Sequence, residues 1–138
     1  MSENAAPGAA CPADDVRIGA RVRIILGDEV AIGPGKADVL ESIRETGSIA
    51  AAGRRLGMSY KRVWLLVDSM NRCFTLPLVE ANKGGSRGGG ARLSVLGEEV
   101  LSRYRRMQAL AEAAIAGEVA ALHAWLEARN VETPADRG

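Results

Sequence analysis

The sequence predicts a mainly α (α+β) fold, and three features predict it. After residue 35, apolar residues recur at helical spacing through most of the chain. Shorter runs at residues 20–33, 78–81 and 91–93 have the composition and period of strands, and glycine or serine marks the main junctions. A length of 138 residues, 47% hydrophobic and 25% charged, fits one globular domain with a modest core.

The elements follow in order. Residues 1–15 are rich in Ala, Pro and Gly and are expected to be a disordered tail. The run ARVRIILGDEVAIG alternates Arg21, Val22, Arg23 and Ile24, turns at Gly27-Asp28 and returns through Val30 to Ile32, which predicts an N-terminal β-hairpin ended by Gly33-Pro34-Gly35. Lys36 to Thr46 places Val39, Leu40 and Ile43 on one helical face, with Gly47 at the C-cap. Ser48 caps a second helix carrying Ile49, Ala52 and Leu56, whose small residues Ala50 to Gly53 suit the close crossing of another helix. Gly57-Met58-Ser59 makes a tight turn, and Ser59 caps a third helix that buries Val63, Leu66, Val67, Met70 and Phe74 and exposes Lys61, Leu65, Asp68 and Arg72. Trp64 lies on its flank and is expected to pack beside the sheet.

Three helices with a glycine-bearing turn form a helix-turn-helix that presents Ser59, Tyr60, Lys61 and Arg62 at the start of its third helix. Those residue types suit DNA. A helix N-terminus favours phosphate, Lys61 and Arg62 add charge, and Ser59 and Tyr60 donate hydrogen bonds to backbone or base edges. Ser48 and Arg54 on the second helix complete the set expected on that side. Beyond Pro77, two short strands flank NKGGSRGGG. That loop lacks the order GxxxxGK[ST] and the following helix of a phosphate-binding P-loop. It is expected instead to be a wing carrying Lys83 and Arg87 that follows the DNA backbone or enters the minor groove with Arg87, with Arg92 at its base.

Ser94 caps a last helix expected to run to about Arg129, with Val100, Tyr104, Met107, Ala111, Ile115, Leu122 and Leu126 as an apolar stripe. That stripe exceeds what one small domain covers. The helix therefore either folds back, bending at Gly117, or pairs with a second copy, and pairing is the expectation because two-fold symmetry is how helix-turn-helix proteins engage paired half-sites. The expected organisation is a tail (1–15), a winged helix-turn-helix domain (16–93), a dimerisation helix (94–129) and a flexible end (130–138).

Charge supports this placement. Residues 36–92 carry ten Lys or Arg against five Asp or Glu, a net +5, whereas residues 1–35 and 93–138 are each −2. Other function classes lack their signals. The chain has two cysteines, Cys11 and Cys73, and one histidine, His123, so neither a zinc site nor a disulfide is expected, and His123 is expected to be a surface or packing residue. There is no nucleophile beside a base and no paired-carboxylate constellation, so no enzyme activity and no cofactor are expected. Without an apolar run of membrane length or a signal-peptide pattern, the chain is expected to be cytoplasmic with no membrane partner.

GSIAAAGRRLGMSYKRVWLLVDSMN followed by LVEANKGGSRGGGARLSVLGEEVL resembles the N-terminal winged helix-turn-helix domain of ModE-type molybdate-responsive transcriptional regulators, which is related to the DNA-binding domain of LysR-type regulators. The resemblance runs from about Val22 to about Leu126, and its most specific elements are SYK, W, MN and the glycine-rich wing in order. It implies a homodimer that binds double-stranded DNA through the helix beginning at Ser59, Tyr60 and Lys61 and through a wing from Lys83 to Gly90. In such regulators a separate C-terminal region binds molybdate; no counterpart is expected here, so molybdate binding is not expected of this chain. The expected function is a transcriptional regulator, as a repressor. The alternative is an interaction module that pairs with a full-length regulator and no longer binds DNA.

Overall fold

The computed structural model describes residues 16–82 and 90–126. Its elements run β1 (Ile24–Leu26), β2 (Glu29–Ile32), α1 (Pro34–Thr46), α2 (Ile49–Leu56), α3 (Tyr60–Cys73), β3 (Val79–Asn82), β4 (Gly90–Leu93) and α4 (Val95–Leu122), followed by a 3-10 turn at His123–Trp125. This is a mainly α winged helix-turn-helix with two separate antiparallel strand pairs, β1–β2 and β3–β4.

The first hairpin turns at Gly27, whose φ of 64° only glycine adopts without strain, and pairs Ile25 with Val30 and Leu26 with Glu29. It is shorter than the alternating pattern suggested, because Arg21 to Arg23 stay outside the ladder. The Val22 carbonyl instead accepts the Tyr104 hydroxyl at 2.6 Å. Next, α1 begins two residues earlier than expected: Pro34 sits at the first helical positions, where its fixed φ fits and its missing N–H costs nothing. Gly47 closes it at φ 75°, donating its N–H to the Ile43 carbonyl at 2.8 Å.

Two compact units divide the chain: Arg21–Leu110 is one, and the described residues 16–20 and 111–126 belong to the other. The core lies in the first. Val39, Leu40 and Ile43 from α1, Val63, Val67 and Met70 from α3, Leu78 before β3, and Leu101 and Tyr104 from α4 are its largest fully buried side chains. The strand pair β3–β4 matches Val79 with Leu93 and Ala81 with Ala91, so alternate residues Val79, Ala91 and Leu93 face that core.

The start of α4 is fixed to the strand pair at close range. Ser94 accepts the Gly97 N–H at 3.0 Å as an N-cap and donates its hydroxyl to the Pro77 carbonyl at 2.7 Å. A Cβ on Gly97 would stand 2.2 Å from the Leu78 carbonyl oxygen, so no other residue fits this approach without backbone movement. The helix runs unbroken through Gly117 and ends at Leu122, short of Arg129; residues 127–138 lie outside the described range.

The apolar stripe expected to face a second copy divides between two fates. Tyr104 is 1% exposed and spends its hydroxyl on Val22, and Val100 and Met107 pack on the same core. Tyr104 is therefore a core residue of its own domain and not a dimer contact, because in a folded protomer it has no surface to offer. Ile115, Leu122 and Leu126 are 41%, 50% and 44% exposed, and Ala111 is half-buried.

Candidate nucleic-acid interface

The turn between α2 and α3 is dictated locally. Ser48 accepts the Ala51 N–H at 2.9 Å and starts α2; Gly57 ends it at φ 71°. The Met58 N–H returns to the Gly53 carbonyl at 2.8 Å, bringing the Met58 carbonyl oxygen to within 2.7 Å of where a Gly53 Cβ would sit. The glycine was expected to admit a neighbouring helix. What it chiefly admits is the backbone of the turn itself, although the Val63 side chain also closes to 3.4 Å of that Cβ position. Ser59 then accepts the Arg62 N–H at 3.0 Å and caps α3.

The capped end of α3 carries no acidic residue in its first turn, so its free amides and partial positive charge are unopposed. Tyr60, Lys61 and Arg62 are all exposed there, and Arg54, in the last turn of α2, is exposed beside the same turn in sequence. Among the described residues none of Arg54, Lys61 and Arg62 is in an ion pair, whereas Arg44, Arg55, Arg72, Arg103 and Arg105 each pair with a carboxylate. Unpaired guanidinium and ammonium groups beside a helix N-terminus suit a phosphate backbone. Ser48 and Ser59 each spend one hydroxyl lone pair on a backbone amide and keep the O–H to donate. Arg92 is exposed on β4 and pairs with Glu80 at 3.3 Å, which places it at the base of the loop. Lys83 and Arg87, the expected wing cations, lie outside the described residues.

Trp64 departs from expectation. It is 42% exposed and, with Tyr60, Lys61, Leu65 and Asp68, lines an open groove of about 410 Å³ along the solvent face of α3. Its position explains the miss: it lies one residue beyond buried Val63, at the margin of the apolar stripe, where periodicity alone does not decide the side.

Sequence reasoning also missed what holds α3 in place. Ser69, 8% exposed on the helix's inner face, donates its hydroxyl to Glu29 Oε2 on β2 at 2.8 Å and accepts from Lys36 Nζ on α1 at 2.8 Å. Arg72 clamps the same Glu29 carboxylate at 3.2 Å and pairs with Asp68 at 3.2 Å. The Ser69 hydrogen bond, with Arg72 and Lys36 behind it, holds the Glu29 carboxyl below the usual carboxylate range. Two residues beyond Ser69, the Asn71 side chain accepts the Leu78 N–H at 2.8 Å and the Val79 N–H at 3.2 Å and donates to the Val79 carbonyl at 3.3 Å, standing in for a strand partner. The legible signal was a serine among buried Val67 and Met70. A hydroxyl there needs partners.

Three comparisons bear on what this arrangement belongs to. No family model matches the chain. The molybdenum-pterin-binding protein MopB of Rhodobacter capsulatus is 41% identical over 78 residues, covering 56% of this chain and 29% of that protein. The DNA-binding transcriptional dual regulator ModE of Escherichia coli K12 is 35% identical over 71 residues, 51% of this chain and 27% of the relative. Over about half its length this chain is homologous to ModE-type regulators. The aligned stretch is shorter than the span from Val22 to Leu126 over which the motifs suggested resemblance, and this chain covers under a third of the ModE-type relatives' own length. Among solved structures, a CbnR_DBD–DNA complex superimposes with a TM-score of 0.50 at 24% identity, covering 63% of this chain and 94% of that one, which shows the winged-helix fold. The cations of α3 thus lie within a winged-helix fold.

Proposed function

We propose that this chain binds double-stranded DNA in a sequence-specific way as a homodimer and regulates transcription, with the first turns of α3 in the major groove. The observation that carries this reading is the serine-capped N-terminus of α3, free of acidic residues, with Lys61 and Arg62 exposed and outside any ion pair among the described residues. The ModE relative named as a DNA-binding transcriptional regulator supports it. Pairing of two copies is supported by Ile115 and Leu122, exposed apolar residues seven positions apart and so on one face of α4. Repression is the output we assign, since a protein seated on an operator excludes others from the same stretch.

The test uses the full chain and a duplex recovered by selection from a random pool. Binding should fall steeply between two salt concentrations, because phosphate contacts release counterions. Lys61→Ala should weaken specific binding by about 1 to 3 kcal/mol if the ammonium reaches a base edge, or reduce the salt slope by about one if it reaches only phosphate. Unchanged affinity and slope remove Lys61 from the interface. Failure to recover any duplex, with a dimer still present in sedimentation, favours the interaction-module alternative.

A further inference from the structure

The solvent face of α3 is not what a purely phosphate-binding helix needs. Behind Lys61 it exposes Tyr60, Trp64 and Leu65 at 54%, 42% and 58%, and these with Lys61 and Asp68 form the 410 Å³ groove. They are not misplaced core residues, since the inner stripe of Val63, Val67 and Met70 is already filled and fully or almost fully buried. Apolar side chains gain free energy only from an apolar occupant. Whatever docks here must present apolar groups at Trp64 and Leu65 and negative charge at the adjoining helix N-terminus.

Both are supplied by one surface. In the major groove every thymine projects a C5-methyl group from its base edge, and the rim of that groove is lined with phosphates. From Tyr60 to Trp64 the helix advances about 6 Å, roughly two base steps at about 3.4 Å each, so the strip is on the scale of adjacent base edges. The carboxylate at the far end of the groove, Asp68, is paired with Arg72 at 3.2 Å, which offsets the charge it would otherwise set against phosphate.

Resting on the DNA-binding reading above, we infer that Trp64 and Leu65 form an apolar reading edge that packs against thymine C5-methyl groups in the major groove and thereby sets part of the sequence preference. Lys61 and Arg62 position the helix, and the apolar pair distinguishes bases.

Replacing thymine by deoxyuridine tests this cleanly, because uracil keeps every hydrogen-bonding group and loses only the methyl. In the selected duplex, each thymine is replaced in turn and affinity measured by fluorescence anisotropy with the full chain. At least one replacement per half-site should weaken binding about fourfold, the worth of one buried methyl-sized group. Leu65→Ala, a change on an exposed position, should bind the thymine and uracil duplexes alike, while Lys61→Ala keeps the discrimination. Equal wild-type affinity for every uracil duplex overturns the inference while leaving DNA binding intact, as does a selected site with no required thymine; Leu65→Ala with undiminished DNA affinity gives the strip to a protein partner instead. Absence of any duplex binding sinks the functional reading and this inference with it.

Discussion

The turn between α2 and α3 and the long helix α4 use the same small and apolar residue types, yet only the first announces its own structure. At the turn every special residue is fixed by a local requirement: Gly57 by its φ of 71°, Gly53 by the Met58 carbonyl, Ser59 by the Arg62 amide. In α4 two glycines look alike in sequence and differ completely in space. Gly97 would place a Cβ 2.2 Å from the Leu78 oxygen, and Gly117 has nothing within 4 Å. Local chemistry is readable when its partner is a few residues away. Burial along a long helix depends on partners many residues distant, which the helical period does not identify.

The largest expected effect follows from that contrast. Gly97→Ala should destabilise by more than about 3 kcal/mol, the upper range for overpacking, because the clash is with backbone and no side chain can yield. Urea unfolding measures it; a loss under about 1 kcal/mol would mean that β3 and α4 separate easily and that the close approach is not needed.

Tyr104→Phe should cost about 1 kcal/mol, since it leaves the part-buried Val22 carbonyl without its donor. Burial also pushes the Tyr104 phenol above its ordinary pKa, so the group stays a donor through neutral pH. The same variant separates the two fates of the α4 stripe: it should lower the unfolding midpoint without changing the monomer–dimer balance in sedimentation. A shift in that balance with no loss of stability would return Tyr104 to an interface.

Gly117→Ala should do the reverse of Gly97→Ala in the same helix, stabilising by up to about 1 kcal/mol, since open space and helical backbone leave only the entropic gain. Thermal unfolding of the paired variants reads both signs in one experiment, and a destabilising Gly117→Ala would reveal a close neighbour supplied by another copy.

Much of the fold was legible from residues 33 to 74, because caps and turns there are specified by neighbours. The α3 termini, Gly47, Gly57 and the inner face at Val63, Val67 and Met70 follow from sequence. Three features did not. Tyr104 occupies an apolar stripe that serves equally for a core or an interface, and the period does not choose. Trp64 sits at a stripe margin. The cluster of Lys36, Ser69, Glu29 and Arg72 joins residues up to 43 positions apart, which only the folded chain brings together. Of the candidate site, the cations at Arg54, Lys61 and Arg62 and the exposed Tyr60 and Leu65 were legible from charge and helix position, while the exposure of Trp64 beside them was not.

That cluster gives the smallest effect and the most diagnostic one, since it ties α3 to β2 and α1. Glu29 has its folded pKa held below the unfolded value, first by the Ser69 hydroxyl and then by Arg72 and Lys36. A depressed carboxylate stabilises the folded state fully above the unfolded pKa and loses that contribution as pH falls through the folded one. Acidification from neutrality through the carboxylate range should therefore erode stability more in the wild type than in Glu29→Gln, whose amide still accepts from Ser69 but does not titrate. Because the variant keeps the geometry while removing the charge, its midpoint should lie slightly below wild type at neutral pH, and the two curves should converge in acid. Parallel curves across that range would show that Glu29 is solvated and that Ser69 and Asn71 alone hold α3 in place.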